Sequence, residues 1–324
     1  MTIPLDLIDG LRAHDRAALA RAITLSESTR DDHQKEAQTL LGEILPDTGR
    51  SIRIGITGVP GVGKSTFIET FGMHLIEEGH KVAVLAFDPS SARSGGSILG
   101  DKTRMSRLSQ HENAYIRPSP TGGTLGGVAR RTREAMLLCE AAGYDVIIVE
   151  TVGVGQSEIE VADMVDMFVL LLLPGSGDEL QGIKKGIVEL ADLIVVNKAD
   201  GDLALQAKRV RSDYSAALRM LHPTHGEWQP KALTCSALNN QGIVEIWQAI
   251  GEFACIMRLH GQLERHRAAQ AKAWMWKEIH DMLISNFQNH PQVAAHVSDI
   301  EQSVERGDKT PAQAARQLLA LARS

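Results

Sequence analysis

The chain has 324 residues, 43% of them hydrophobic and 23% charged, which are the proportions of an ordinary soluble globular protein built as one large domain with additions or as two domains. A formal net charge of −6 leaves no excess of basic side chains with which to neutralise nucleic-acid phosphates, so no nucleic-acid partner is expected. The three cysteines, Cys139, Cys235 and Cys255, are widely spaced and form no CxxC, which excludes a disulfide framework or a thiolate metal site as the organising feature.

Residues 2–47 carry a helical pattern, with Leu7, Leu11, Ala18, Leu19, Ile23, Leu40, Leu41 and Ile44 set among charged positions. Pro46-Asp47-Thr48-Gly49 breaks it, so 1–48 reads as a helical extension packed on the rest. Its mixture of acids and bases lacks the apolar core of a signal peptide.

The strand Ile52–Thr57 runs into Gly58-Val59-Pro60-Gly61-Val62-Gly63-Lys64-Ser65, a match to Gly-x-x-x-x-Gly-Lys-[Ser/Thr], and a helix is predicted from Thr66 to Ile76. Glycines let the backbone N–H groups close on phosphate oxygens, and Lys64 supplies a point charge for the β/γ-phosphates. The Ser65 hydroxyl is a Mg²⁺ ligand candidate, and the helix N-terminus faces the anion. Nucleotide contacts are expected from Gly58 through Thr66.

From Ser51 to about Met257 short apolar runs alternate with helical stretches. Lys81–Phe87, Asp145–Val149, Met167–Leu173, Leu193–Val196 and Lys231–Thr234 do not alternate polar with apolar, as expected of strands covered on both faces. A mostly parallel sheet with helices on each side follows, an α/β P-loop fold spanning 49–258. Met167–Leu173 is also the longest apolar run and is too short to cross a bilayer, so no membrane partner and a cytoplasmic location are expected.

Ligands of such sheets lie at the carboxyl ends of the strands, where the polar residues collect. Asp88 follows the second run and Asp101 lies in the small, polar stretch Ser94–Met105. Both are candidates for Mg²⁺ coordination or for orienting the attacking water. Glu150 ends the run Asp145–Val149 as a Walker B acid and is a third candidate, while Gly153 permits approach to a γ-phosphate. Between them, Arg130-Arg131-Thr132-Arg133 is expected to be a solvated helix face behind a glycine-rich loop.

Asn197-Lys198-Ala199-Asp200 ends the run Leu193–Val196 and has the form Asn-Lys-x-Asp. A carboxylate there can accept from both the ring N–H and the exocyclic amino group of guanine, an arrangement adenine cannot supply. Cys235-Ser236-Ala237-Leu238 then provides a Ser-Ala loop whose backbone, through Ser236, Ala237 and Leu238, can meet the guanine carbonyl oxygen. Behind a P-loop, the two motifs point to GTP. The pair His222/His225 is expected in a solvated loop.

From about Leu259 the chain becomes charged and helical, with Met275, Ile279, Met282 and Leu283 on one face and a last helix from Thr310-Pro311 toward Leu321. Residues 259–324 are expected to be a helical arm that makes a homodimer or packs on the G domain.

Taken together, Gly58–Thr66, Asp88-Pro89-Ser90-Ser91, Gly95–Met105, Glu150–Gln156, Gly177–Gly186 and Asn197–Asp200 resemble the MeaB/ArgK-type GTPases, over almost the whole chain. The resemblance implies a Mg²⁺-dependent GTPase that passes through GTP- and GDP-bound states. It implies a chaperone that docks on an adenosylcobalamin-dependent acyl-CoA mutase, gates cobalamin loading from an adenosyltransferase and helps exchange damaged cofactor. Cobalamin is then handled through the mutase and not bound by this chain alone. Lys64, Asp101 and Glu150 take the catalytic positions, and Asp178, Gln181 and Lys184 resemble a third switch that relays nucleotide state to the client. A nickel-delivery GTPase of the same wider group and a transporter-associated kinase are the alternatives.

Overall fold

The computed structural model describes residues 5–88, 105–118, 125–151, 156–175, 185–220 and 225–322. Asp101, Gly153, Asp178, Gln181 and Lys184 lie outside them. The strands are β1 (Ile52–Gly58), β2 (Val82–Phe87), β3 (Ala114–Arg117), β4 (Val146–Thr151), β5 (Met167–Leu172), β6 (Leu193–Val196) and β7 (Lys231–Thr234). They form one seven-stranded sheet in the order β3-β2-β4-β1-β5-β6-β7. Every pairing is parallel. β1, β5 and β6 are buried along their whole length, which is why their sequences show no alternation. The sequence pattern did not reveal β3: four residues at a sheet edge, between polar Asn113 and Pro118, carry too little periodicity.

Three helices precede the sheet, α1 (Leu5–Arg12), α2 (Arg16–Ser26) and α3 (Asp31–Ile44). After β1 comes α4 (Lys64–Glu77); then α5 (Ser106–Gln110) leads to β3, and α6 (Leu125–Ala141) joins β3 to β4. The remaining crossovers are α7 (Gln156–Ala162), α8 (Lys185–Leu190) and α9 (Ala204–Leu218), and α10 (Ile243–Leu259) follows β7. α11 (Gln262–Gln288), α12 (Pro291–Glu305) and α13 (Pro311–Leu321) complete the chain, the last opened by a Thr310/Gln313 capping box.

The chain divides into two compact units, residues 1–266 and 267–324. In the first, the core on one side of the sheet joins strand residues Ile54, Ile56 and Val169 to Phe67 and Phe71 of α4 and to Ile246, Ile250 and Phe253 of α10. Full burial of a Phe side chain stabilises by roughly 1.5–3 kcal/mol, so α4 is anchored beneath the loop that precedes it. On the other side Leu170, Leu172, Ile194 and Val196 pack against α9 through Ala207, Val210 and Tyr214. In the second unit α12 and α13 bury Val293, Ile300 and Ala314.

Two expectations are corrected. The α6 segment that carries Arg130-Arg131-Thr132-Arg133 is not a solvated face. Thr132, Arg133 and Glu134 are buried because α2 and α3 cover the helix, and Gln38 Nε2 donates to Glu134 Oε1 at 2.9 Å. His225 is buried rather than solvated. Its ring meets Phe253 and His266 edge-on and lies 3.6 Å from Asp192 Oδ1, with Trp228 of the same cluster donating to the Asp192 carbonyl at 3.0 Å. Polarity in the sequence marked both segments as surface, and cover contributed from distant elements overrode it.

Candidate functional site

The carboxyl ends of β1, β2, β4, β6 and β7 lie on one rim of the sheet, and the motif residues that follow them are brought together there. β1 runs directly into the P-loop. Gly58 has φ +156°, and a Cβ on it would sit 2.6 Å from the Leu171 carbonyl oxygen of β5. Gly63, at φ +91°, is the N-cap of α4 and offers no side-chain cap, so the first N–H groups of the helix remain for an anion. Lys64 Nζ donates to the Gly58 carbonyl at 2.7 Å, folding the lysine back over the loop. Burial pulls the Lys64 ammonium below the ordinary lysine value, and the charges of Glu150 and Glu158 oppose that.

Register places the acids. Glu150 lies within β4 beside Ile56 of β1 and Ala86 of β2. Phe87 pairs with Thr151, so Asp88 leaves the neighbouring strand one residue later on the same rim. Carboxylate and hydroxyl oxygens such as those of Asp88, Glu150 and Ser65 are hard donors, the chemistry that suits Mg²⁺. Among the described residues no group of three or more His, Cys, Asp or Glu side chains is arranged to hold a metal.

At the ends of β6 and β7, Asn197 ties three segments together. Its Nδ2 donates to the Val62 carbonyl of the P-loop at 2.9 Å, while its Oδ1 accepts from Ala237 N at 3.2 Å and from Cys235 Sγ at 3.3 Å. Lys198, with φ +58°, donates from Nζ to the Gly61 carbonyl at 2.8 Å. Asp200 Oδ2 accepts from the Ser236 hydroxyl, which fixes the carboxylate beside the loop. Ser236 and Ala237 are buried, whereas Leu238 is exposed. Burial pushes the Cys235 thiol up to about 12, so it acts here as a weak donor and not as a nucleophile.

The family described as "Methylmalonyl Co-A mutase-associated GTPase MeaB" matches residues 19–292. The chain belongs to this family. The "Methylmalonic aciduria type A homolog, mitochondrial" of Mus musculus is 51% identical over 323 residues, covering 97% of this chain and 78% of the mouse protein. The "GTPase ArgK" of Escherichia coli strain K12 is 55% identical over 276 residues, 85% of this chain and 83% of the relative. A crystal structure described as "LAO/AO transport system kinase" superposes with TM-score 0.78 at 42% identity, with all of both chains covered. The protein is a GTPase with the P-loop fold.

Within this GTPase the structure adds residues that motif reading passed over. The Thr151 hydroxyl donates to that of Thr57 at 2.7 Å, linking the residue after Glu150 to the residue before Gly58. Glu158 is buried on α7 and bears on the Lys64 charge. The only sequence signal for the threonine pair was a hydroxyl residue at the end of each of two apolar strands.

Proposed function

We propose that this GTPase binds guanine nucleotide and Mg²⁺ on the rim described above and uses its hydrolysis to gate cofactor traffic on a cobalamin-dependent acyl-CoA mutase. What carries the nucleotide half is the pair of hydrogen bonds that join Asn197 to Val62 and Ala237, beside the bond from Ser236 to Asp200. What supports the mutase half is the association in the family's description and the similarity to a relative named for methylmalonic aciduria. In this reading Gly58–Thr66 cradle the phosphates and Lys64 neutralises their charge. Ser65, Asp88, Asp101 and Glu150 share Mg²⁺ coordination and the orientation of water, and Gly153 approaches the γ-phosphate. Asp200 reads the guanine edge, while Lys198 spans the base and the P-loop. Asp178, Gln181 and Lys184 couple nucleotide state to the client. An adenosyltransferase supplies the cofactor, and the setting is the cytoplasm.

A homodimer through the C-terminal arm belongs to the same reading. Met275, Trp276, Ile279, Met282 and Leu283 form an exposed apolar stripe on α11, at spacings that keep them on one side of a helix. Sedimentation of the protein beside Met282→Lys, expected to be monomeric, tests it.

GTP turnover is to be measured with and without purified mutase, beside cobalamin transfer in GTP, GDP or a non-hydrolysable analogue. Stimulation by the mutase that vanishes on replacing Asp178, Gln181 and Lys184 by alanine, with basal turnover kept, supports the reading. Full stimulation in the triple variant, or transfer of phosphate to a protein or amino acid in place of water, overturns it. Replacing Asp200 by Asn is expected to weaken GTP binding by about 1–3 kcal/mol, the effect of an unsatisfied buried polar group. Equal wild-type affinities for ATP and GTP would remove the guanine assignment.

A further inference from the structure

Four threonines in helices show what their hydroxyls ordinarily do and where one departs. Thr24, Thr39 and Thr132 each donate to the carbonyl four residues earlier in their own helix, at 2.8, 2.8 and 2.9 Å. Thr70, on α4 six residues beyond Lys64, instead donates across 167 residues of sequence to the Ala237 carbonyl at 2.8 Å. Ala237 is therefore held on both sides, its N–H by Asn197 Oδ1 and its carbonyl by Thr70.

The carbonyl of Ala237 and the N–H of Leu238 belong to one trans peptide and point in opposite directions. Anchoring the carbonyl toward α4 aims the Leu238 N–H away from it, out of the Ser236–Leu238 turn. The Ala237 N–H is already engaged by Asn197, which leaves the Leu238 N–H as the donor this loop can offer to a purine carbonyl at position 6.

We infer that Thr70 is a positioning residue for base selection: through Ala237 it orients the Leu238 N–H toward the guanine O6. The inference rests on the guanine-site reading proposed above. It divides the recognition of the base between two structures, the Asp200 carboxylate for the ring N–H and amino group, and a peptide steered from the P-loop helix for the carbonyl oxygen. α4 thereby contributes to both phosphate and base selection.

The test compares Kd for GDP with Kd for the 2-aminopurine riboside diphosphate, which keeps the amino group but has neither O6 nor the ring N1–H. Measurements use the full chain as wild type, Thr70→Val and Thr70→Ser. Thr70→Val keeps the shape and loses the donor; Thr70→Ser restores it. Loss of one oriented hydrogen bond predicts a GDP Kd raised roughly three- to tenfold in Thr70→Val, with the 2-aminopurine Kd unchanged and Thr70→Ser close to wild type. A general loosening of α4 would instead weaken both nucleotides alike, and that result overturns the role of Thr70, as does an unchanged preference in Thr70→Val. A wild type that binds both nucleotides equally removes the guanine-site reading itself and the inference with it. A Thr70→Val protein that does not fold leaves Thr70→Ser and Thr70→Ala to decide: Ser must keep the preference and Ala must lose it.

Discussion

The buried pair Asp192 and His225 allows a test of burial energetics in which two opposite pH dependences cancel. Asp192 lies at the amino end of β6, with Oδ2 accepting from Phe168 N at 2.8 Å and Oδ1 hydrogen-bonded to nothing. Burial raises its carboxyl from 3.8 to about 7, against the Phe168 hydrogen bond. Burial lowers the His225 imidazole from 6.5 to about 4, helped by His266 and opposed by Asp166. For Asp192 the unfolded chain loses its proton first as pH rises from 3.8, so stability falls with rising pH until the folded value is passed. For His225 the unfolded chain gains its proton first as pH falls from 6.5, so stability falls with falling pH. Between pH 4 and 6.5 the folded pair holds one proton and the unfolded pair also holds one. The wild-type contribution is therefore flat. Each variant should expose the other partner. At 1.36 kcal/mol per pH unit, Asp192→Asn should gain about 3 kcal/mol relative to wild type between pH 4.5 and 6.5. His225→Gln should lose about 2 kcal/mol over the same range, after allowing for the solvent that reaches the ring. Urea unfolding at several pH values measures both differences, and subtraction of wild type removes the other titrating groups. Differences that are flat, or that share a sign, refute the reasoning.

Replacing Gly58 by Ala would drive a Cβ to 2.6 Å from the Leu171 carbonyl at a positive φ, so nucleotide binding should be lost with the sheet intact, seen as absent GDP binding beside unchanged far-UV circular dichroism. Lys64→Ala should abolish nucleotide binding or turnover while leaving the melting temperature of the nucleotide-free protein within a few degrees, read by calorimetry with and without GDP. Arg53 and Glu140 form a buried ion pair at 2.8 Å, with Ser51 Oγ and Gly49 N completing the carboxylate's partners. Burial disfavours ionisation of Glu140, but Arg53, Ser51 and the Gly49 N–H together more than compensate and the carboxyl is held below its ordinary value. Arg53→Met should therefore cost about 3–5 kcal/mol at pH 7 by stranding that charge, with Arg53→Met/Glu140→Leu recovering most of it in urea titrations. The wild-type contribution of this carboxylate should disappear as pH falls through its lowered folded value.

The P-loop and the Asn197–Asp200 motif could be singled out in the sequence because the chemistry each offers is local. The P-loop needs glycine at particular backbone angles, a lysine and a hydroxyl within eight consecutive residues, and Asn197–Asp200 carries its own acceptors, so spacing alone announced both. The parallel sheet was legible for a related reason: strands covered on both faces must be apolar throughout, and β1, β5 and β6 are. Tertiary structure decided what depended on cover from elsewhere in the chain. Thr132 and Arg133 look like a solvated face until α2 and α3 are laid over them, and His225 looks like a loop residue until Trp228, Phe253 and His266 enclose it. β3 exists because the edge of β2 supplies its hydrogen bonds, not because Ala114–Arg117 has a strong preference for strand. Thr70 shows the limit most plainly. Its sequence neighbours predict an ordinary helical hydroxyl, and only the fold, by bringing Ala237 within 2.8 Å, redirects it. Groups that satisfy themselves within a few residues are written in the sequence. Groups whose partners lie a hundred residues away are set by packing, since burial determines which polar atoms must find each other.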